Sequence, residues 1–154
     1  MWFGQLSSGL KYIHDKKIIH RDVKPANIFL DNFKNLKLGD FGTAKKLEII
    51  MDFARTQCGS PSYAAPEIWK DEPYSEKVDM WALGCTIFEL CTLEPRFTGR
   101  SIAEKANLAK EVTTTVFHPP IKQKQYKNIA PFIEGLLKIQ PDRRRLSADQ
   151  IVNG

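Results

Sequence analysis

Trp2, Phe3, Leu6, Leu10 and Ile13 recur at three- and four-residue spacing, which places them on one face of an opening helix that ends near His14 and Asp15. The pattern then breaks into short apolar runs, Ile18-Ile19, Ile28-Phe29-Leu30 and Leu36-Lys37-Leu38. Turn-prone stretches such as Asp31-Asn32 separate them, so they are expected as short strands. Between positions 40 and 67 no period persists and Gly, Ser, Thr and Pro are frequent, as in a surface loop that carries function. Residues 78–91 reverse that character. Val78, Met80, Trp81, Leu83, Cys85, Ile87, Phe88 and Leu90 cover almost every face, which predicts a helix buried all round, the central post of the core. Beyond Glu94-Pro95, amphipathic helices are expected over residues 101–112 and 129–139, the former opening at a Ser cap with Glu104 three residues on. His118-Pro119-Pro120 marks the connection between them, and residues 147–152 are expected as a last short helix. No repeat or low-complexity tract interrupts the chain. The pattern is that of an α+β chain, mainly helical.

Composition adds bounds. The chain has 154 residues, about one domain, and its 42% hydrophobic and 27% charged content is that of a globular protein. A net charge of +5 arises from 23 basic and 18 acidic residues, and the basic ones are dispersed as a solvated surface. No basic stripe interleaved with aromatics points to nucleic acid. Cys58, Cys85 and Cys91 form no C-x-x-C pair, so neither a disulfide framework nor a zinc site is implied and a reducing compartment is expected. Met1 is followed by none of the basic and long apolar pattern of a signal peptide. The most apolar stretch, 80–93, is shorter than the ~20 residues of a membrane span, so no membrane partner is expected.

Three motifs carry chemistry. The run His20-Arg21-Asp22-Val23-Lys24-Pro25-Ala26-Asn27 is followed by Asp40-Phe41-Gly42 and then by Ala65-Pro66-Glu67. Taken singly each is weak, since an Asp-Phe-Gly is more often a turn and a His-Arg-Asp more often surface polarity. Jointly, in this order and spacing, they assemble a carboxylate base, an amine and two oxygen ligands for a hard cation, which is the equipment of phosphoryl transfer. Asp22 is placed to orient a hydroxyl and accept its proton, and Lys24 to reach the transferring phosphate. Asn27 and Asp40 offer oxygens to magnesium. His14, His118 and the three cysteines stand at no partnered spacing and are expected in packing or at the surface.

Through these motifs, and through Leu38-Gly-Asp-Phe-Gly42, Ala54-Arg-Thr56, Asp79-Met-Trp-Ala-Leu-Gly-Cys85 and Glu89-Leu-Cys-Thr-Leu93, the chain resembles the C-terminal lobe of a eukaryotic Ser/Thr protein kinase, most closely the NIMA-related kinases. Lys24 after the Asp is similar to Ser/Thr rather than tyrosine kinases. The resemblance implies a protein-kinase-like fold over residues 1–153, the C-terminal lobe only, using ATP and Mg2+ on protein substrates. It further implies that Arg21 pairs with a phosphorylated activation loop, with Thr56 the candidate phosphosite. Ser60 would bridge Asp22 and Lys24, Phe29 would form the floor under adenine, and His20 and Phe41 would belong to the regulatory spine. Asp79 would anchor the catalytic-loop backbone, and Glu67 would pair with Arg144 or Arg145. The stretch Gln140-Pro-Asp-Arg-Arg-Arg-Leu-Ser147 is one residue longer than the family pattern and leaves that choice open.

The same resemblance implies that ATP lies between two lobes, under a glycine-rich loop and against a lysine held by a helix glutamate. These residues encode none of the three. The expectation is therefore a truncated catalytic domain that acts with its missing N-terminal lobe or a substitute partner. The alternative is a non-catalytic lobe that serves as a protein-binding module. A cytoplasmic location, with cytoskeletal association, is what the resemblance suggests.

Overall fold

The computed structural model describes residues 2–46, 59–111 and 129–144. Helix α1, Trp2–Asp15, buries Leu6, Ser7, Leu10 and Ile13, the face its spacing predicts. Trp2 departs from that face. It is half exposed, and its indole Nε1 donates to the Lys34 carbonyl at 3.0 Å, tying the helix start to a hairpin turn. The three expected strands form where the apolar runs lie: β1 (Ile18–Ile19), β2 (Ile28–Leu30) and β3 (Leu36–Leu38). A fourth, β4 (Lys45–Lys46), has no apolar signal and exists because it pairs antiparallel with β1, Ile18 opposite Lys46. Strands β2 and β3 form a separate antiparallel hairpin with Ile28 opposite Leu38.

Helix α2 is a short turn, Pro66–Trp69, that the poor periodicity of the loop did not announce. Helix α3, Lys77–Thr92, is the central post: Met80, Trp81, Leu83, Cys85 and Ile87 are fully buried, each large side chain stabilising the fold by about 1.5–3 kcal/mol. Its last turn emerges from the core, leaving Leu90 and Leu93 exposed. Leu93 adopts φ 62° and donates to Glu89 O at 2.7 Å, ending the helix one residue before the expected Glu94-Pro95 break. Gly84 sits where α3 meets the chain after α5, and a Cβ there would come 2.9 Å from the Leu137 side chain.

Helix α4, Ile102–Lys110, starts at the predicted Ser101 cap, whose hydroxyl accepts from Glu104 N at 3.1 Å. The Glu104 carboxylate accepts from the Arg100 N–H, one residue short of a reciprocal box. Helix α5 is shorter than expected, Ala130–Leu136. The carbonyls of Lys138 and Ile139 leave the helical path to accept from Arg144 at 2.6 and 3.0 Å, a tertiary demand that no local pattern carries. Thr56, Cys58, residues 118–120, Arg145 and the expected helix at 147–152 lie outside the described residues. Among the described residues no helix is long and apolar enough to cross a membrane.

Candidate active site

The loop from His20 to Asn27 hangs between β1 and β2, and one carboxylate at the buried start of α3 sets its shape. Asp79 Oδ2 accepts from the His20 N–H and Oδ1 from the Arg21 N–H, both at 2.8 Å. Arg21 is thereby held at φ 69°, a left-handed conformation that costs a non-glycine residue about 1–3 kcal/mol unless its surroundings impose it. His14 completes this anchor. Its Nε2 lies 2.7 Å from Asp79 Oδ2 with the side chain almost wholly buried, so of the two placements expected it takes packing, and it has a partner that its spacing did not show. Sixty-five positions separate the two residues, and no spacing rule reaches that far.

His20 is oriented from both ring nitrogens: Nε2 donates to Gly39 O at 3.0 Å and Nδ1 accepts from Asp22 N at 3.3 Å. Its ring stands 4.8 Å from that of Phe41, which brings the two spine candidates together. Asp22 is buried and surrounded by donors. Lys24 Nζ lies 2.7 Å from Oδ2, Asn27 Nδ2 lies 3.1 Å from the same oxygen, and the Ser60 N–H donates to Oδ1 at 2.9 Å. The Ser60 hydroxyl accepts from Lys24 at 2.8 Å, so this residue touches both members of the pair it was expected to bridge, meeting Asp22 through its backbone. Burial opposes ionisation of Asp22. Hydrogen bonds from Lys24 and Ser60, the Lys24 charge and the Asn27 amide outweigh it and hold the carboxyl below its ordinary value.

Ser60 reaches Asp22 because Gly59 brings the chain against the loop. At φ 91° and with a Cβ position that would run into the Arg21 carbonyl oxygen, position 59 admits only glycine. The segment beyond is pinned twice: Tyr63 Oη donates to Glu89 at 2.6 Å and Lys105 Nζ donates to Ser62 Oγ at 3.0 Å. Burial and the facing Glu89 carboxylate push the Tyr63 phenol far above its ordinary value.

Asn27 spends its amide nitrogen on the Asp22 carbonyl and carboxylate, which leaves its oxygen as the atom available to a cation. Beyond the Ile28–Leu38 pair the hairpin continues with Gly39 N donating to Asn27 O at 3.0 Å, and Asp40 is the next residue along that strand end. Asp40 is exposed at φ 60°, with Gly42 N 3.2 Å from its Oδ1. Among the described residues no three His, Cys, Asp or Glu side chains gather into an enclosed metal site. Two oxygen donors from neighbouring strand ends suit a hard cation that keeps water or phosphate oxygens as its remaining ligands.

Farther from the loop, both oxygens of Glu67 accept from the guanidinium of Arg144, Oε2 at 2.7 Å, and the two side chains are 3% and 0% exposed. Arg144 is thus the partner that the sequence left undecided. Arg21 donates to Thr43 O and to Tyr74 Oη. Cys85 and Cys91 are buried with their thiols pushed up by desolvation, as expected of packing residues.

The family described as "Protein kinase domain" matches residues 1–154. A Homo sapiens protein named Serine/threonine-protein kinase Nek5 is 43% identical over 152 residues, which is 98% of this chain and 21% of that protein. A Mus musculus protein, Serine/threonine-protein kinase Nek1, is 40% identical over 151 residues, 98% of this chain and 12% of its own length. The Schizosaccharomyces pombe G2-specific protein kinase fin1 is 52% identical over 92 residues, 59% of this chain and 13% of that protein. The chain spans about a fifth or less of the length of these curated relatives.

Proposed function

We propose, from the premise that this chain belongs to the protein kinase family and is most similar to its NIMA-related Ser/Thr members, that residues 1–153 form the lower lobe of a catalytic unit that moves the γ-phosphate of ATP onto Ser and Thr hydroxyls of proteins. The observation that carries this reading is the cluster on Asp22: a buried carboxylate with Lys24, Asn27 and Ser60 on it, beside the strand end that delivers Asp40.

Bound Mg2+ and ATP supply the phosphoryl group and neutralise its charge. The chain's own residues position and stabilise. Asp22 accepts a hydrogen bond from the substrate hydroxyl and takes its proton. A carboxylate whose affinity for protons is lowered is a weak base, so it contributes mainly by aiming the hydroxyl, which suits a loose transition state that asks little of the nucleophile. Lys24, 2.7 Å from Asp22, carries the positive charge toward the transferring phosphate, and Ser60 fixes its amine. Asn27 and Asp40 hold the metal through oxygen, and Phe29, half exposed, offers the apolar floor under adenine. Arg21 is the cation that would pair with phosphorylated Thr56 and order the loop around it.

The glycine-rich loop and the ATP-anchoring lysine are not among these 154 residues and are assigned to polypeptide outside them. The exposed rings of Phe29 and Phe41 support a covering partner over this part of the chain. The test is a phosphotransfer assay on the full natural polypeptide that contains these residues. Phosphoserine or phosphothreonine should form on a protein substrate, and Asp40→Ala or Asp22→Asn should lower the rate by about 10²–10³-fold, the scale for loss of one transition-state partner. Turnover that survives Asp40→Ala would overturn the reading. The 154 residues by themselves are expected to transfer no measurable phosphate.

A further inference from the structure

The turn Pro61–Tyr63 follows directly on Ser60, whose N–H and hydroxyl meet Asp22 and Lys24, so it borders the carboxylate that aims the substrate hydroxyl. Its side chains turn to two different helices. Tyr63 donates to Glu89 on α3, while the Ser62 hydroxyl accepts from Lys105 Nζ on α4 at 3.0 Å, across 43 positions of sequence.

Lys105 is held at both ends. A Cβ at position 99 would come 2.7 Å from Lys105 N and 2.9 Å from Lys105 Cγ, so Gly99 lies against the root of the side chain. Ser62 fixes the amine, and both residues are half-buried. Ordering so long a side chain costs rotamer entropy, and one hydrogen bond to a neutral hydroxyl returns little. A counter-charge is what the arrangement lacks. None of the ion pairs among the described residues includes Lys105. The carboxylates on α2, α3 and α4 are engaged elsewhere: Glu67 with Arg144, Asp79 with His14 and the catalytic loop, Glu89 with Tyr63, and Glu104 with the Arg100 N–H. An ammonium carries three donors, so Ser62 leaves room on it for an acceptor from outside the chain.

We propose that Lys105 is a specificity-determining residue for the protein substrate, reading an Asp or Glu side chain close in sequence to the Ser or Thr that receives phosphate. This rests on the protein-kinase reading above. The path from the Asp22 carboxylate through Ser60 and Ser62 to Lys105 Nζ spans no more than roughly 17 Å, and an extended peptide advances about 3.3–3.6 Å per residue, so the acid lies within about five positions of the acceptor. Because the amine is already fixed, meeting the acid costs little further ordering.

The experiment uses the full natural polypeptide and a library of peptides with a central Ser or Thr, in which one flanking position at a time is fixed as Asp, Asn or Lys and the others are randomised. Wild type should phosphorylate the Asp peptides about three- to fivefold faster than the Asn peptides at one position or two neighbouring ones, the upper scale of a partly exposed ion pair. Lys105→Met, which keeps the packed stem, should abolish that difference, and Lys105→Glu should replace it with a preference for Lys at the same position. A flat Asp scan in active wild type, or an Asp preference that survives both variants, would overturn the proposal while leaving the kinase reading intact. A lysine that only pins the turn would slow the Asp and Asn peptides by one common factor in Lys105→Met, with Ser62→Ala reproducing the loss, and that result would also overturn it. Wild type that transfers phosphate neither to the library nor to a protein substrate would overturn both readings, and activity on the protein alone would overturn this one.

Discussion

Replacing Arg144 with Met should destabilise this chain more than any other single side-chain truncation near its surface loops. The guanidinium serves both oxygens of Glu67 and the carbonyls of Lys138, Ile139 and Lys77. With the two side chains 0% and 3% exposed, water cannot take over these contacts. Removing one member of a buried pair leaves the other charge unsatisfied, at about 3–5 kcal/mol. For a chain of this size each kcal/mol moves the thermal midpoint by about 2–4 °C, so a fall of roughly 6–20 °C is expected. Glu67→Gln should cost less, since an acceptor oxygen remains and Arg144 retains its carbonyls. The double variant Glu67→Met with Arg144→Met should cost less than the sum of Glu67→Met and Arg144→Met measured separately, because no lone charge is left. Thermal melts followed by tryptophan fluorescence suit the measurement, as Trp81 lies 5.1 Å from the Arg144 guanidinium. A midpoint change under about 2 °C for Arg144→Met, or strict additivity in the double variant, would show that the pair is not the isolated buried charge couple inferred here.

Three further outcomes are expected. His14→Leu removes a partner from buried Asp79 and should cost about 1–3 kcal/mol in urea, with His14→Gln recovering part of it; equal stabilities of the two variants would refute the anchor role. Gly59→Ala imposes both a strained φ and a collision with the Arg21 carbonyl, so it should cost at least about 1–3 kcal/mol and reduce phosphotransfer in the full polypeptide; wild-type behaviour in both assays would contradict the close approach. Because its folded-state pKa is lowered, Asp22 contributes stability that is present above the ordinary value of about 3.8 and lost as pH falls through the lowered one. Asp22→Asn should accordingly flatten the acid end of the stability profile below that pH, and a profile parallel to wild type would exclude the shift.

The elements legible along the chain were those whose signal is local. The period of α1, the three apolar runs of β1, β2 and β3, the all-round apolar α3 and the Ser101 cap each follow from neighbours a few residues apart. The candidate site was legible for the same reason: Asp22, Lys24 and Asn27 lie within one short loop, and Asp40 follows across a hairpin. Order and residue type along the sequence were enough to nominate the residues that the proposed function uses.

What the sequence left open depended on residues brought together from far apart. The pairing of Lys45–Lys46, the shortened end of α5 and the choice of Arg144 over its neighbour were decided by where strands, carbonyls and a buried carboxylate came to rest. His14 and Gly59 belong to the same group, one meaningful only beside Asp79 and the other only against the Arg21 carbonyl. Periodicity records which face of a segment avoids water, because burial repeats with the backbone. A buried charge or an absent side chain is defined by a single neighbour in space, and that neighbour exists only once the chain has folded.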